Sequence, residues 1–384
     1  MFKLNEIVHR VETDRFGPFL FQVGIDASSL ELEFVRVEDA HRRFIASPLA
    51  TVANQLEREV LVQSVHGTNT IEGAELSESQ TEAVLDLPPE QIAKDNEIRV
   101  RNIKSAYDLA IESATNPDWV LDVAFMQAVH VEISRDLAHA DNKPGLIRDN
   151  PKNRITYVGN AEHGGRYKPP QYRGDIIKLL HGLVEWHASL VNAGIPALVR
   201  APLVHLYFEC IHPFWDGNGR TGRVIEATLL RQAGYRYAPF ALSRYYLENI
   251  DLYFTLFNTC RKSSVKNRDY PNFDFVKFHL DGMLPVIESL HERVNAMVKI
   301  ILLEAELSHH MRDGEINKRQ WAIAHHVLDG GRPVKLTDLQ KQPWFIAMYG
   351  KKTSRTRDRD MQKLRALRLL RTDKAGYLWP GFKE

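Results

Sequence analysis

The twelve residues from His212 to Arg223 (His-Pro-Phe-Trp-Asp-Gly-Asn-Gly-Arg-Thr-Gly-Arg) constrain this chain more than any other stretch. Leu203, Leu206, Tyr207 and Cys210 form the apolar stripe of a helix that delivers His212, and Pro213 stops it. Gly217-Asn218-Gly219 can then bend the backbone so that successive amides point at one spot, because glycine tolerates dihedrals that other residues resist. Val224, Ile225, Thr228 and Leu229 recur at helical spacing, so the loop runs directly into a second helix. A glycine-rich turn feeding a helix start is a ready anion site, combining unsatisfied amides with the positive end of the dipole. Arg220 and Arg223 add two permanent cations about one turn apart. Asp216 is poorly suited to a bare phosphate but well suited to the Mg²⁺ that accompanies a polyphosphate. The stretch reads as a phosphate cradle with a histidine at its lip. A loop that only connected two helices would need neither the mixed charges nor the histidine.

The rest of the chain reads as mainly helical. Its 384 residues suit two to three domains. Residues 1–45, with Phe16, Phe19, Leu20 and Phe21 near Gly17-Pro18, read as an arm packed on the body. Val52, Leu56, Val60 and Leu61 mark an amphipathic helix from Ala50 to Val65, and the stretch from His66 to Gly73 is expected to end it and begin another. Further helices are expected over 92–114, 118–137, 174–193, 198–211 and 273–307, the last interrupted at Pro285; His130 lies on a packing pattern without chemistry. Arg154-Ile155-Thr156-Tyr157-Val158 alternates with period two, and Gly159-Asn160 and Gly164-Gly165 supply turn residues, so a β-hairpin is expected there. The formal charge of +1 argues against a chain that binds nucleic acid along its whole length. Cys210 and Cys260 are the only two cysteines, so a disulfide framework is not expected and a reducing compartment is favoured. No apolar run reaches the ~18 residues of a membrane span, and the first residues lack the basic and apolar regions of a signal peptide. The expectation is a cytoplasmic protein with no membrane partner.

The stretch from His212 to Arg223 matches, position for position, the signature His-x-Phe-x-Asp/Glu-Gly-Asn-Gly-Arg-x-x-Arg, and the chain thereby resembles the Fic family. That resemblance implies a Fic-type helical bundle and transfer of AMP from ATP to a hydroxyl of a protein, the chain itself included. It implies that His212 is the general base and that Gly217, Asn218, Gly219, Arg220, Thr221, Gly222 and Arg223 bind the nucleotide. Asp216 would hold Mg²⁺, and Tyr246 and Asn249 in a tyrosine-rich turn would line the adenine pocket. The hairpin at Ile155, Thr156, Tyr157 and Val158 would be the flap on which a target segment docks by main-chain hydrogen bonds. Thr68, Glu72 and Gly73 resemble the family's inhibitory motif, Ser/Thr-x-x-x-Glu-Gly/Asn, whose glutamate pairs with the second signature arginine, here Arg223. Arg223 cannot hold both a carboxylate and the γ-phosphate. Gly219, where a phosphoryl-transferring offshoot carries lysine, points to adenylyl transfer.

Beyond Asp313-Gly314, three expected helices (317–328, 336–342, 354–370) and a terminal hairpin resemble a winged helix-turn-helix. From Lys351 to Arg371 there are nine Lys or Arg (351, 352, 355, 357, 359, 363, 365, 368, 371) against two Asp (358, 360), a net of +7 that suits DNA contact. The expected organisation is an N-terminal arm and helical region with the inhibitory motif (1–115), a catalytic core (116–262), the last helices of the bundle (263–312) and the winged helix (313–384). Two other readings accompany this one. The same site can remove AMP from a modified protein, with Glu72 aligning a water, or the Fic body can serve as the ATP sensor of a DNA-binding regulator. The resemblance also brings a homodimer, since relatives use dimer contacts to move the inhibitory helix.

Overall fold

A computed structural model describes residues 4–139, 142–329 and 333–381 of the chain. The arm begins with a hairpin, β1 (Val8–Glu12) and β2 (Pro18–Gln22), paired antiparallel from Val8 opposite Gln22 to Glu12 opposite Pro18. The turn closes on Gly17, at φ +96°, whose carbonyl accepts the Thr13 hydroxyl at 2.8 Å. Pro18 is tolerated because it opens its strand. One face of the hairpin buries Val11 and Phe21, the latter against Trp186 and Tyr207 at 5.8 and 5.2 Å between ring centroids. Helices follow: α1 (Glu31–Ile45), α2 (Leu49–Ile71), α3 (Glu78–Leu85), α4 (Asp95–Thr115), α5 (Val123–Ser134), α6 (Arg173–Asn192), α7 (Ala197–Ile211), α8 (Asn218–Gln232), α9 (Ala238–Glu248), α10 (Ile250–Val265) and α11 (Phe273–Arg312).

The described residues fall into two compact units, one of residues up to 46 with 53–291, the other of 47–52 with 292 onward. In the first unit α8 is the centre. It packs on α7, α4, α5 and α9. Asn218 and every residue from Arg220 to Leu230 are buried, so this stretch is enclosed on all sides although it carries two arginines and a glutamate. Charges at such positions require partners, and those partners build the site described below. The division expected at 115/116 falls at the end of α4, but α4 and α8 share one core.

Three local expectations differ from the structure. α2 does not stop at His66 but runs on to Ile71. A Cβ on Gly67 would sit 3.1 Å from the Ser243 backbone, so this glycine admits a neighbouring helix and does not end its own. The stop comes at Gly73, at φ +83°, where the Gly73 and Ala74 amides bond the Thr70 and Asn69 carbonyls at 2.9 and 3.0 Å. α11 likewise passes through Pro285 without ending. The expected β-hairpin at 154–158 contains a single bridge, Val158 to Tyr167. Side chains replace the ladder before it: Gln171 Oε1 accepts the Thr156 amide at 2.8 Å, and Asn150 Nδ2 donates to the Thr156 hydroxyl at 2.9 Å. On the return arm Pro169 and Pro170 have no N–H to give.

The second unit contains the end of α11, α12 (Lys318–Asp329), β3 (Val334–Lys335), α13 (Leu336–Leu339), α14 (Pro343–Tyr349), α15 (Ser354–Ala366), β4 (Leu370–Thr372) and β5 (Tyr377–Pro380). The strands form an antiparallel sheet in the order β3-β5-β4. The core gathers Leu303, Leu307, Ile323, Val327, Leu364 and Leu378. Leu303 and Leu307 precede Asp313-Gly314, so that turn ends α11 but does not divide the packing. The helix expected to reach residue 370 stops at Ala366, where Arg368 takes φ +57° and the Leu369 amide bonds Leu364 O at 2.9 Å. Among the described residues no helix is long and apolar enough to cross a membrane.

Candidate active site

His212 caps α7 in a left-handed conformation, φ 51° and ψ 63°. A non-glycine residue holds that geometry only when its surroundings impose it. Here Arg148, fully buried, does so. Its Nε donates to His212 O at 2.7 Å, Nη1 to Asn150 Oδ1 at 2.6 Å and Nη2 to Pro170 O at 2.5 Å, while its amide bonds Pro213 O at 2.9 Å. Burial pulls this guanidinium down to about 10, still far above neutral pH. The His212 Nδ1 atom lies 3.5 Å from Glu209 Oε2.

The loop that follows is closed from two directions. Asn218 accepts the Phe214 amide at Oδ1 and returns a bond from Nδ2 to Phe214 O, both at 2.9 Å. His130 stacks on Phe214 at 3.7 Å, donates from Nε2 to Asp216 O at 2.9 Å and accepts the Gly145 amide at Nδ1, also 2.9 Å. Burial pushes this imidazole down to about 4, so it remains neutral and keeps that one tautomer. Gly217 takes φ +77°. The first intrahelical bond of α8 runs from Thr221 N to Gly217 O at 2.9 Å, which leaves the amides of Asn218, Gly219 and Arg220 without an acceptor in the helix.

Arg220 is 1% exposed. Its Nη2 donates to Asp216 Oδ2 at 3.0 Å, while the buried Nε and Nη1 have no hydrogen-bond partner among the described residues. Burial alone would raise the Asp216 carboxyl, but Arg220 and the Gly217 amide hold it below its ordinary value of 3.8. A buried guanidinium with free N–H groups beside open helix amides is suited to an anion with several oxygens.

One turn on, Arg223 meets α2. Its Nη2 donates to Glu72 Oε1 at 2.7 Å and to Thr68 O at 3.3 Å, its Nε to the Thr68 hydroxyl at 3.2 Å, and its Nη1 to the Tyr253 hydroxyl at 3.3 Å. Burial would raise the Glu72 carboxyl, but Arg223 and Arg220 hold it below the ordinary 4.5. A Cβ on Gly219 would lie 2.4 Å from Glu72 Oε1, so glycine at 219 is what admits the carboxylate. Glu72, Gly219, Arg223, Glu209 and His212 all line one cavity of about 290 Å³, together with Val158, Asn160, His163 and Tyr167 of the flap and Tyr253, Phe254, Phe257 and Asn258 of α10.

This geometry belongs to a known family: residues 120–230 match the Fic/DOC family. Those residues form a Fic domain. It is 26% identical over 215 residues to protein adenylyltransferase fic-1 of Caenorhabditis elegans, covering 54% of this chain and 39% of that protein. It is 29% identical over 188 residues to protein adenylyltransferase Fic of Drosophila willistoni, covering 47% and 34%. The aligned part thus spans well under half the length of these curated relatives. In fold it is similar to a Fic family protein from Desulfovibrio desulfuricans G20, with a TM-score of 0.55 at 19% identity, covering 93% of this chain and 97% of that one. It is also similar to residues 134–508 of C. elegans Fic-1, with a TM-score of 0.53 at 18% identity, covering 71% and 75%.

Within this Fic domain the sequence-named residues sort clearly. His212, Gly219, Arg223 and Glu72 meet at the cavity, with Arg220 and Asp216 beside them. Thr68 grips Arg223 from the last turn of α2, and Glu72 and Gly73 form the turn that ends that helix. Thr221 turns its hydroxyl to Gly217 O at 2.8 Å, and Gly222 packs against His205 and Glu209, so both support the cradle from behind. Of the flap, Val158 lines the cavity, while Ile155 and Tyr157 are 49% and 55% exposed and Thr156 is tied to Asn150 and Gln171. Tyr246 and Asn249 differ from expectation. Tyr246 is buried with its hydroxyl on Glu226, and Asn249 bonds Tyr245 O at 2.9 Å, so neither reaches the cavity. The aromatic side chains that do line the cavity are Tyr253, Phe254 and Phe257 of α10. Their aromatic spacing on the next helix was the available signal. His130 and Arg148 carried none, because their partners are backbone atoms far away in sequence.

Proposed function

We propose that this protein is a protein adenylyltransferase, moving AMP from ATP to a Ser, Thr or Tyr hydroxyl of a protein, and that Glu72 keeps it nearly silent at rest. One observation carries the reading: His212 and Glu72-bound Arg223 line a single cavity beside the free amides of α8 and the unpartnered Nε and Nη1 of Arg220. The curated worm and fly relatives are named protein adenylyltransferases, which supports it.

His212 takes the proton of the target hydroxyl as its oxygen bonds the α-phosphorus, work typically worth ~10²–10⁴-fold. The bond from that phosphorus to the bridging oxygen breaks, and pyrophosphate leaves. The amides of Asn218 and Gly219 meet the charge growing on the α-phosphate oxygens. Arg220 and Arg223 neutralise the departing phosphates. Asp216 would be the carboxylate that holds Mg²⁺. Its side chain is 51% exposed with one oxygen on Arg220, and among the described residues no cluster of three or more His, Cys, Asp or Glu could hold a metal. That is the donor set of an ion held largely by nucleotide phosphates, whose charge it would offset. The flap at Ile155, Thr156, Tyr157 and Val158 would hold an extended target segment by main-chain hydrogen bonds.

Incubation of wild type and Glu72→Gly with α-labelled and γ-labelled ATP tests the reading. Protein labelling from the α-label alone, strong only in Glu72→Gly, supports it; labelling from the γ-label means phosphoryl transfer and sinks it. Because Glu72 lines the same cavity as His212, removal of AMP with Glu72 aligning a water is the second reading, and release of AMP from a pre-modified protein by wild type would favour it.

We also propose that the C-terminal unit is a winged helix-turn-helix that contacts DNA. Eight of its nine clustered cations, all but Arg357, are exposed along α15 and the β4–β5 hairpin. Asp360, one of the two opposing acids, is buried under Arg319, Gln320 and Tyr349. A gel shift with random duplex that weakens steeply with salt supports this; no shift at low salt rejects it.

A further inference from the structure

Glu226 is a buried carboxylate that the reaction does not use. It sits three residues past Arg223 on α8 and is 2% exposed. His205 Nδ1 reaches its Oε2 at 2.8 Å, His279 Nδ1 its Oε1 at 2.9 Å, and the Tyr246 hydroxyl both oxygens at 2.9 and 3.0 Å. Burial would raise this carboxyl, but the two imidazoles hold it far below the ordinary range, so it is ionised. Leaving an ion in such a place is costly unless its charge is used by something nearby.

The hydrogen bonds give the direction of that use. A carboxylate only accepts, so His205 donates from Nδ1, which in the neutral tautomer leaves Nε2 to accept. The Tyr253 hydroxyl lies 3.1 Å from that Nε2 and donates to it, which turns the tyrosine oxygen toward Arg223 Nη1 at 3.3 Å. Donation therefore runs one way, from Arg223 through Tyr253 and His205 to Glu226. The path is rigid. A Cβ on Gly222 would meet His205 at 2.7 Å, so glycine there lets the imidazole in, and Tyr246 stacks on Tyr253 at 4.8 Å and 9°. Of the other named partners of Arg223, Thr68 lies in α2 and Glu72 in the turn that ends it.

We propose that Tyr253, His205 and Glu226 form a fixed relay that holds the Arg223 guanidinium in its anion-binding position independently of α2. They are positioning residues for the terminal phosphates of the nucleotide. When Glu72 withdraws, Arg223 stays aimed at the cavity and does not swing after it. The inference rests on the reading of the cavity as an ATP site.

The test uses the full chain with Glu72→Gly, titrated with ATP and with AMP, alone and combined with Tyr253→Phe or Glu226→Gln. Both added substitutions keep side-chain shape; the first removes the hydroxyl that Arg223 reaches, the second the charge at the far end of the relay. The relay predicts that each weakens ATP about tenfold, the loss of one long charge-assisted hydrogen bond, and moves AMP less than about twofold. In turnover the KM for ATP rises by about the same factor while kcat is held. Unchanged ATP affinity in both variants overturns the relay, and so does an equal loss for AMP and ATP, which would mean general damage to the pocket. Should the Glu72→Gly chain bind neither nucleotide, the ATP reading fails and the relay falls with it.

Discussion

Replacing Glu72 by glycine should move stability and ligand affinity in opposite directions. Glu72 Oε1 bonds Arg223 Nη2 at 2.7 Å, with the arginine side chain 3% exposed and the glutamate 24%. A hydrogen bond to a charged partner contributes about 1.5–3 kcal/mol. Arg223 keeps Thr68 and Tyr253 after the change, so it is not stranded, and the lower half of that range applies to the apo protein. The apo variant should therefore be less stable by about 1.5–2 kcal/mol. A phosphate oxygen no longer competes with a carboxylate for the same guanidinium, and removing that competition should tighten ATP by about 10- to 100-fold. Thermal melts with and without ATP, alongside calorimetric titration, read both effects. Wild type should melt higher without ATP, and the variant should gain more from ATP. A variant that binds ATP no better than wild type would refute the claim that Glu72 and the γ-phosphate contest Arg223.

Further outcomes follow from the same contacts. Gly219→Ala puts a Cβ where Glu72 Oε1 now lies, 2.4 Å away, so the carboxylate must leave; ATP binding by titration should rise, though less than in Glu72→Gly. Arg148→Lys cannot reproduce three forked bonds, so the His212 turn loosens; stability in denaturant should fall by about 2–4 kcal/mol and turnover should drop more than ATP affinity. The depressed carboxyl of Glu72 keeps its pairing, and the stability it brings, at pH above the ordinary 4.5 and loses both as pH falls through its own lower value. The stability advantage of wild type over Glu72→Gln should thus be full at pH 6 and shrink in acid. His130, pushed down to about 4, contributes stability that is full above its ordinary 6.5 and lost as pH falls from there toward 4. In His130→Asn the unfolding midpoint should change less across that window.

Much of the site was readable because it is local. The helix break at Pro213, the positive-φ Gly217 and the buried helix behind them all follow from twelve consecutive residues. Glu72 was readable because its motif is short and its partner charge-complementary. The misreadings share one cause, a local signal overruled by a distant neighbour. The helix read over 50–65 runs on to Ile71, and within it Gly67 lets Ser243 approach where a Cβ would stand. Tyr246 looked like a pocket wall, but Glu226 holds its hydroxyl. The alternating run at 154–158 looked like a strand, but Gln171 and Asn150 satisfy Thr156 in place of a ladder. The β1–β2 hairpin read only as an arm, because its buried pair Val11 and Phe21 packs against helices some 160 residues later. Arg148 and His130 bond backbone carbonyls, a demand that leaves no pattern in sequence.

The most direct measurement is mass spectrometry of the full Glu72→Gly chain and of lysate proteins incubated with it and ATP, beside Glu72→Gly/His212→Ala. The account predicts an AMP group on a Ser, Thr or Tyr side chain with the first protein and none above background with the second. A phosphate in place of AMP, or an AMP adduct that persists without His212, would contradict it.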